Sequence, residues 1–403
     1  MAALKKAATP RRRAKGTAAA ATAIWAWEDD PMSTGAVPIE RPVPQMPRAR
    51  FKLDWQGLIP PAGLHPPGSV QFRWWVAAEA LVRTIDFWLP LLPPRSTWQR
   101  GDRLTIRLDA GDNLNAFYDR ASLTFFHATV AGQTVYSGES PDVVAHECGH
   151  AILDLLRPQL FDAMSAEVAA VHESFGDCSA ILTALQLPTV RAAVLAETGG
   201  TLYANSRLSR VAEQLGWAIS QRLPCATDPG CLRNAVSCFF YDTPDRLPIR
   251  GSAAILSSEP HSYSRVFTSA FLATLSGMAA VLSSEPDPDA LHQASVDAGK
   301  LLVTAVQAAP IVPAYMSQVG AHVLTADQEL FAGKYRRAIR NGFIGRGLMS
   351  ASAVPHVTAA AKSGVAAAAP RRAADLPTLT LSAQDLGLGD RPLLCAAPAE
   401  AVR

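Results

Sequence analysis

From Ser140 to Pro158 the chain reads Ser-Pro-Asp-Val-Val-Ala-His-Glu-Cys-Gly-His-Ala-Ile-Leu-Asp-Leu-Leu-Arg-Pro. No other stretch restricts the fold so tightly. Ser140 is an N-cap and Pro141 suits the first helical position, where its missing N–H costs nothing; Pro158 stops the helix. Residues four apart share one face of a helix, so His146 and His150 aim at one point. Neutral imidazoles suit zinc, and a catalytic zinc site takes three protein ligands and keeps one position open. Glu147, beside the two rings, is placed to take a proton from water at that open position. The competing reading is a pair of hydrogen-bonded histidines on an ordinary helix.

A third ligand is available on the next helix, read over about 165–187. Its apolar residues Val168, Val171, Phe175, Cys178, Leu182 and Leu185 recur at three- and four-residue spacing. Glu173 and Asp177 lie four apart on that helix. Glu173 is the expected third ligand, and Asp177 is expected to accept the other N–H of His146 and fix its tautomer. Two buried carboxylates without a partner are costly, and a metal supplies one; a solvated acidic face is the alternative. The small residues Ala166, Ala170, Ala180 and Ala184 would let the two helices approach closely. His172 and Glu167 compete for the ligand role but point off the stripe.

The rest of the chain suggests how this pair is housed. Its 403 residues are 49% hydrophobic and 18% charged, with a net charge of +2. That allows one large two-lobed domain and gives no global pull toward nucleic acid or an anionic membrane. No uninterrupted run of 18 apolar residues occurs, so no membrane span is expected. Residues 1–50 and 351–403, rich in Ala, Pro and Arg, are expected to be disordered tails. Residues 51–140 read as a β-containing lobe: a helix over Trp75–Leu92, then strands at Leu104–Leu108, Ser122–Phe126 and Thr134–Tyr136. Residues 141–350 read as a helical lobe, with further helices near 207–221, 264–283, 287–307 and 325–341. The expected class is α+β. The basic start (Lys5, Lys6, Arg11, Arg12, Arg13, Lys15) is similar to an export signal, but the apolar run after it is short and mostly Ala and Thr, so a cytoplasmic location is expected. The six cysteines have no paired spacing that suggests a cysteine-only metal site. Cys225 and Cys231 could close a short loop.

At this point the chain resembles the thermolysin-like metallopeptidases over roughly 113–275. The residues that carry the resemblance are Pro141-Asp142-Val143-Val144-Ala145 leading into His-Glu-x-x-His, then His172-Glu173-Ser174-Phe175-Gly176-Asp177. Asn115-Ala116-Phe117-Tyr118 lies upstream; Cys231-Leu232-Arg233-Asn234 and His261-Ser262-Tyr263-Ser264 lie downstream. The resemblance implies a two-lobed zincin fold, a small β-containing N-terminal lobe and a mostly helical C-terminal lobe that carries the zinc site, with substrate in the cleft between them. It implies that substrate backbone adds to an edge strand at Asn115 and Ala116, that Arg233 contacts a substrate carbonyl, and that His261 donates to the oxyanion. There are departures. Phe161 stands where a tyrosine is usual, with Tyr263 as a conceivable substitute. Ser257, Ser258 and Glu259 replace the usual carboxylate arrangement before the second histidine. The acidic cluster that binds calcium in secreted relatives is missing.

The resulting expectation is a zinc-dependent endopeptidase acting on a peptide or protein. A zinc-bearing binding protein that has lost proteolysis and a non-peptide amide hydrolase are the alternatives. Leu153 and Leu156 occupy the Gly and His positions of the metzincin pattern and exclude it.

Overall fold

The computed structural model describes residues 22–47, 50–351 and the backbone of 393–394. Its architecture is α+β, with small sheets mostly in the first part of the chain and helices dominating the second. β1 (Ala23–Ala26) and β2 (Ile39–Pro42) form an antiparallel pair. β3 (Lys52–Trp55) follows, then α1 (Val70–Trp88), β4 (Arg103–Arg107), β5 (Ala116–Tyr118), β6 (Ser122–Phe125), β7 (His127–Val130) and β8 (Gln133–Tyr136). The helical part comprises α2 (Pro141–Leu156), α3 (Ala166–Ala184), α4 (Pro188–Thr198), α5 (Glu213–Arg222), α6 (Pro260–Leu282), α7 (Pro288–Ala308), α8 (Tyr315–Phe331) and α9 (Arg336–Gly345). The two-residue strands β9 (Arg210–Val211) and β10 (Arg233–Asn234) pair antiparallel within it. β11 (Leu393–Leu394) joins the main sheet, whose order is β11-β5-β6-β4-β3.

The start of α2 follows from local rules: Ser140 Oγ accepts from the Val143 N–H at 3.4 Å, and Pro141 opens the helix. α2 packs against α1 on one side and α3 on the other, and α3 is in turn covered by α6. Trp88 of α1 stacks on Phe175 of α3 with ring centroids 5.0 Å apart and donates its Nε1–H to Ser179 Oγ at 3.0 Å. That fixes α1 against the helix pair. α6 is long and apolar enough to cross a membrane by length and composition, although it contains no long uninterrupted apolar run. It packs against α3, α7 and α9 in the core.

Three expectations are corrected. Residues 22–47 lie within the span read as a disordered tail, yet β1 is ordered because Ile24 and Ala26 alternate inward and bury completely against α1 beside Phe72, Trp74 and Trp75. The helix expected over 325–341 is two helices, α8 and α9, broken where Ala332 and Gly333 take left-handed backbone at φ 53° and 80°. α4 was not foreseen. The remainder of the two expected tails lies outside the described residues, apart from β11.

The loop after β1 clamps the N-terminus of α2. Asp30, wholly buried, accepts from Ser140 Oγ–H at 2.6 Å, from the Gln214 N–H at 2.8 Å and from the Met32 N–H at 3.0 Å. Asp29 pairs with Arg207 at 3.4 Å, and Asp142 accepts from the Ala212 N–H at 3.1 Å. Burial pushes Asp29 up to about 6 and Asp30 up to about 7. Burial, and then Asp29 and Asp30 themselves, push Asp142 well above the usual carboxylate range. These folded pKa values exceed the unfolded ones. The favourable contribution is therefore complete below the unfolded value and is lost as the pH rises through 6 to 7. Asp30→Asn should raise stability at pH 8 by about 1–3 kcal/mol and gain nothing near pH 4. Thermal melts of both proteins at the two pH values check this; an equal difference at both refutes it.

Candidate metal centre

α2 brings His146, Glu147 and His150 together, all buried, with one potential ligand atom from each lying within 4.8 Å of the others. The two imidazoles stand at 89° with centroids 4.7 Å apart. α3 delivers Glu173, fully buried, with Oε2 3.4 Å from His146 Nε2 and Oε1 3.6 Å from His150 Nε2. Both Nε2 atoms and both Glu173 oxygens lack a hydrogen-bond partner. Leaving a buried polar atom unsatisfied costs about 1–3 kcal/mol. Four such atoms converging on one spot are a donor set that a divalent cation would satisfy, so the residues fit a bound metal ion.

The far side of His146 is tied down. Its Nδ1–H donates to Asp177 Oδ1 at 3.1 Å. Asp177 also accepts from Arg233 Nη2 at 2.7 Å, from Arg233 Nε at 3.2 Å and from Thr268 Oγ1 at 3.2 Å. Burial pushes the Asp177 carboxyl up, but the Arg233 guanidinium and His146 outweigh it and hold the group below the usual range. Burial likewise pulls the His146 imidazolium down, and the Asp177 and Glu173 carboxylates more than offset this, raising it to about 9. His150 has no carboxylate behind it. Burial, then the charges of His146, His172 and His261, keep it well below the usual histidine value and therefore neutral.

His261, near the start of α6, places Nε2 3.5 Å from Glu173 Oε2. Its Nδ1 pairs with Glu259 Oε1 in a short contact, and Glu259 Oε2 accepts from the Ser262 N–H at 2.9 Å as the N-cap of α6. Burial raises the Glu259 carboxyl, but the charge and hydrogen bond of His261 win and bring it to about 2. Glu259 is thus a carboxylate partner of His261 in the very neighbourhood where the usual carboxylate is read as not in place. Its signal was a carboxylate at an N-cap position two residues before the histidine.

Asn115 and Ala116 are buried where the chain enters β5. β5 packs on α2 through Tyr118, whose hydroxyl donates to Asp154 Oδ2 at 2.9 Å. Asp154 is one turn beyond His150 on the same helix face, so β5 runs alongside the cluster. β11 pairs with the C-terminal part of this strand: Leu393 sits opposite Tyr118 and Leu394 opposite Phe117, antiparallel. The chain's own backbone thus lies against Phe117 and Tyr118, next to the Asn115 and Ala116 positions where the resemblance implies a substrate strand. Arg233 was expected on the opposite wall; it is buried behind His146, bonded to Asp177. Phe161 lies under the Arg120 guanidinium at 4.4 Å and edge-on to His172. Tyr263 does not replace a hydroxyl at the cluster, because its ring is buried and its O–H donates to the Asp242 carbonyl at 2.6 Å. His172, ranked low as a ligand, is buried against His150, with the two Nδ1 atoms 2.7 Å apart.

Close approach of α2 and α3 comes from glycines as well as the alanines read from sequence. A Cβ on Gly176 would sit 2.6 Å from His146 Nδ1 and Cε1. A Cβ on Gly149 would sit 2.8 Å from Ser179 Cβ and 3.0 Å from Gly176 Cα.

No family model matches the chain, and no curated protein matches it. Among solved structures the chain is similar to the precursor of protealysin, a metalloproteinase from Serratia proteamaculans. The identity is 14%, over 84% of this chain and 91% of that one, with a TM-score of 0.42. A likeness that distant carries no argument about function, and the site stands on its own side chains.

Helix propensity alone says that Gly176→Ala should stabilise α3 by about 1 kcal/mol. The contact with His146 predicts the opposite: a loss of about 1–3 kcal/mol from overpacking, and weaker metal binding because the ring is displaced. Melting curves and a metal-competition titration check this. A raised melting temperature with unchanged metal affinity would contradict the packing.

Proposed function

We propose that this chain is a zinc-dependent endopeptidase, with zinc held by His146, His150 and Glu173. The observation that carries the reading is the convergence of four buried, hydrogen-bond-less ligand atoms from those residues beside the Glu147 carboxylate. Bound zinc supplies Lewis acidity, which acidifies water and polarises a carbonyl. Every other role belongs to the protein. Glu147 takes a proton from the attacking water and passes it to the leaving amine. Glu259 holds His261 by Nδ1, so that Nε2 is free to donate to the oxygen of the tetrahedral intermediate. Asp177 holds the His146 ring, and Arg233 and Thr268 hold Asp177. The side-chain amide of Asn115 and the backbone of Ala116 orient an extended peptide or protein substrate alongside α2. The proposed location is the cytoplasm.

A second reading, a zinc-bearing binding protein with impaired hydrolysis, is favoured by two observations. Phe161 has no hydroxyl to assist the oxyanion, and β11 already pairs with β5. The two readings part on one variant. Purified protein should carry about one zinc per chain. Glu147→Gln should retain it while peptide cleavage falls by a factor of about 100 or more. Loss of zinc in Glu147→Gln overturns the role given to Glu147. A wild type that binds zinc but cleaves no member of a peptide library supports the second reading.

A further inference from the structure

The contact behind His150 differs in kind from the one behind His146. His150 and His172 face each other Nδ1 to Nδ1 at 2.7 Å, with both rings buried and centroids 4.9 Å apart. At that separation one proton lies between the two nitrogens, because two lone pairs repel and two N–H groups collide. A neutral imidazole has a single N–H, so the position of this proton fixes the tautomer of both rings. With the proton on His172 Nδ1, His150 carries its own hydrogen on Nε2, aimed into the cluster where Glu173 Oε1 lies 3.6 Å away without a hydrogen bond. With the proton on His150 Nδ1, His150 turns a lone pair toward the cluster. His172 then carries its hydrogen on Nε2, a buried atom without a partner. The second arrangement leaves a donor buried and unsatisfied, which is unfavourable unless the exposed lone pair of His150 is used.

We propose that the shared proton sits on His150 Nδ1 and that His172 is a positioning residue: an uncharged acceptor that fixes the His150 ring and holds its Nε2 lone pair toward the metal. This rests on the reading of His150 as a zinc ligand. The two histidines of the motif are then held in unlike ways, His146 by a carboxylate clamped to a guanidinium and His150 by a neutral ring. The only property His172 must supply is a lone pair at the Nδ1 position. An asparagine supplies one there through Oδ1; a leucine fills similar space and supplies none.

Two measurements on the full chain test this. In a zinc-competition titration, His172→Leu should weaken binding by about 10- to 100-fold, whereas His172→Asn should stay within about threefold of wild type. Equal weakening in both variants overturns the proposal, since a purely space-filling role predicts the leucine to be the milder change. Long-range proton–nitrogen NMR of the zinc-loaded wild type reads the tautomers without any variant. Hydrogen on His150 Nδ1 and on His172 Nε2 is expected, and hydrogen on His172 Nδ1 overturns the proposal alone. A wild type that takes up no zinc removes the ligand reading and this proposal with it.

Discussion

The site depends on how closely α2 and α3 are pressed together. Two helices usually pack with axes 8–10 Å apart, set by the side chains at the contact. Here Gly149 and Gly176 remove those side chains, so that the His146 ring lies directly over the backbone of α3. Only at that distance can Glu173 reach the Nε2 atoms while Asp177, one turn on, reaches Nδ1 of the same ring. Glycine inside a helix sacrifices about 1 kcal/mol of intrinsic propensity, and both positions accept that loss for the geometry it permits. Trp88, wedged against Phe175 and Ser179, braces the pair from the other side.

Charge is then the second constraint. Asp177 and Glu173 share the interior with Arg233, and the partial offset is completed by protons on His146 and His261, both raised by neighbouring carboxylates after burial has pulled them down. A divalent cation in the same place competes with those protons, so uptake of metal and release of protons are coupled. Arg233 has a double effect here. It keeps Asp177 ionised, and it draws electron density from the carboxylate that backs His146. In the proposed site the basicity of His146 would thus be set by a residue outside the ligand set.

What could be read from the sequence was what is local. Ser140-Pro141 and the four-residue spacings of His146, His150, Glu173 and Asp177 are rules of a single helix turn, and they place those four side chains without knowledge of the fold. The contacts of Glu259 and His172 were not legible, because each depends on a partner at the helix start or on the neighbouring helix rather than on spacing. The alanine stripe was seen as the means of close packing, but the tightest contacts run through Gly149 and Gly176, which a hydrophobic pattern does not register. Ile24 and Ala26 were lost in an alanine-rich background, where a four-residue alternation is too short to stand out. The break between α8 and α9 was written in Gly333, but an apolar pattern running past it hid the change of direction.

The clamp at the start of α2 also ties together parts of the chain that are far apart in sequence. Asp30 meets Ser140 across 110 residues and Gln214 across 184. Loop closure over such lengths is slow, and its entropy must be given up before the contact returns anything. α2 and α3, joined by a short connection, meet through local contacts, whereas the loop after β1 is held to the start of α2 and to α5 by contacts of long sequence separation. Without it, the Ser140 hydroxyl proton and the Gln214 amide would have only water to bond. The start of the helix that carries His146 and His150 is therefore secured by a segment near the start of the chain, and loosening that segment would be felt at the cluster.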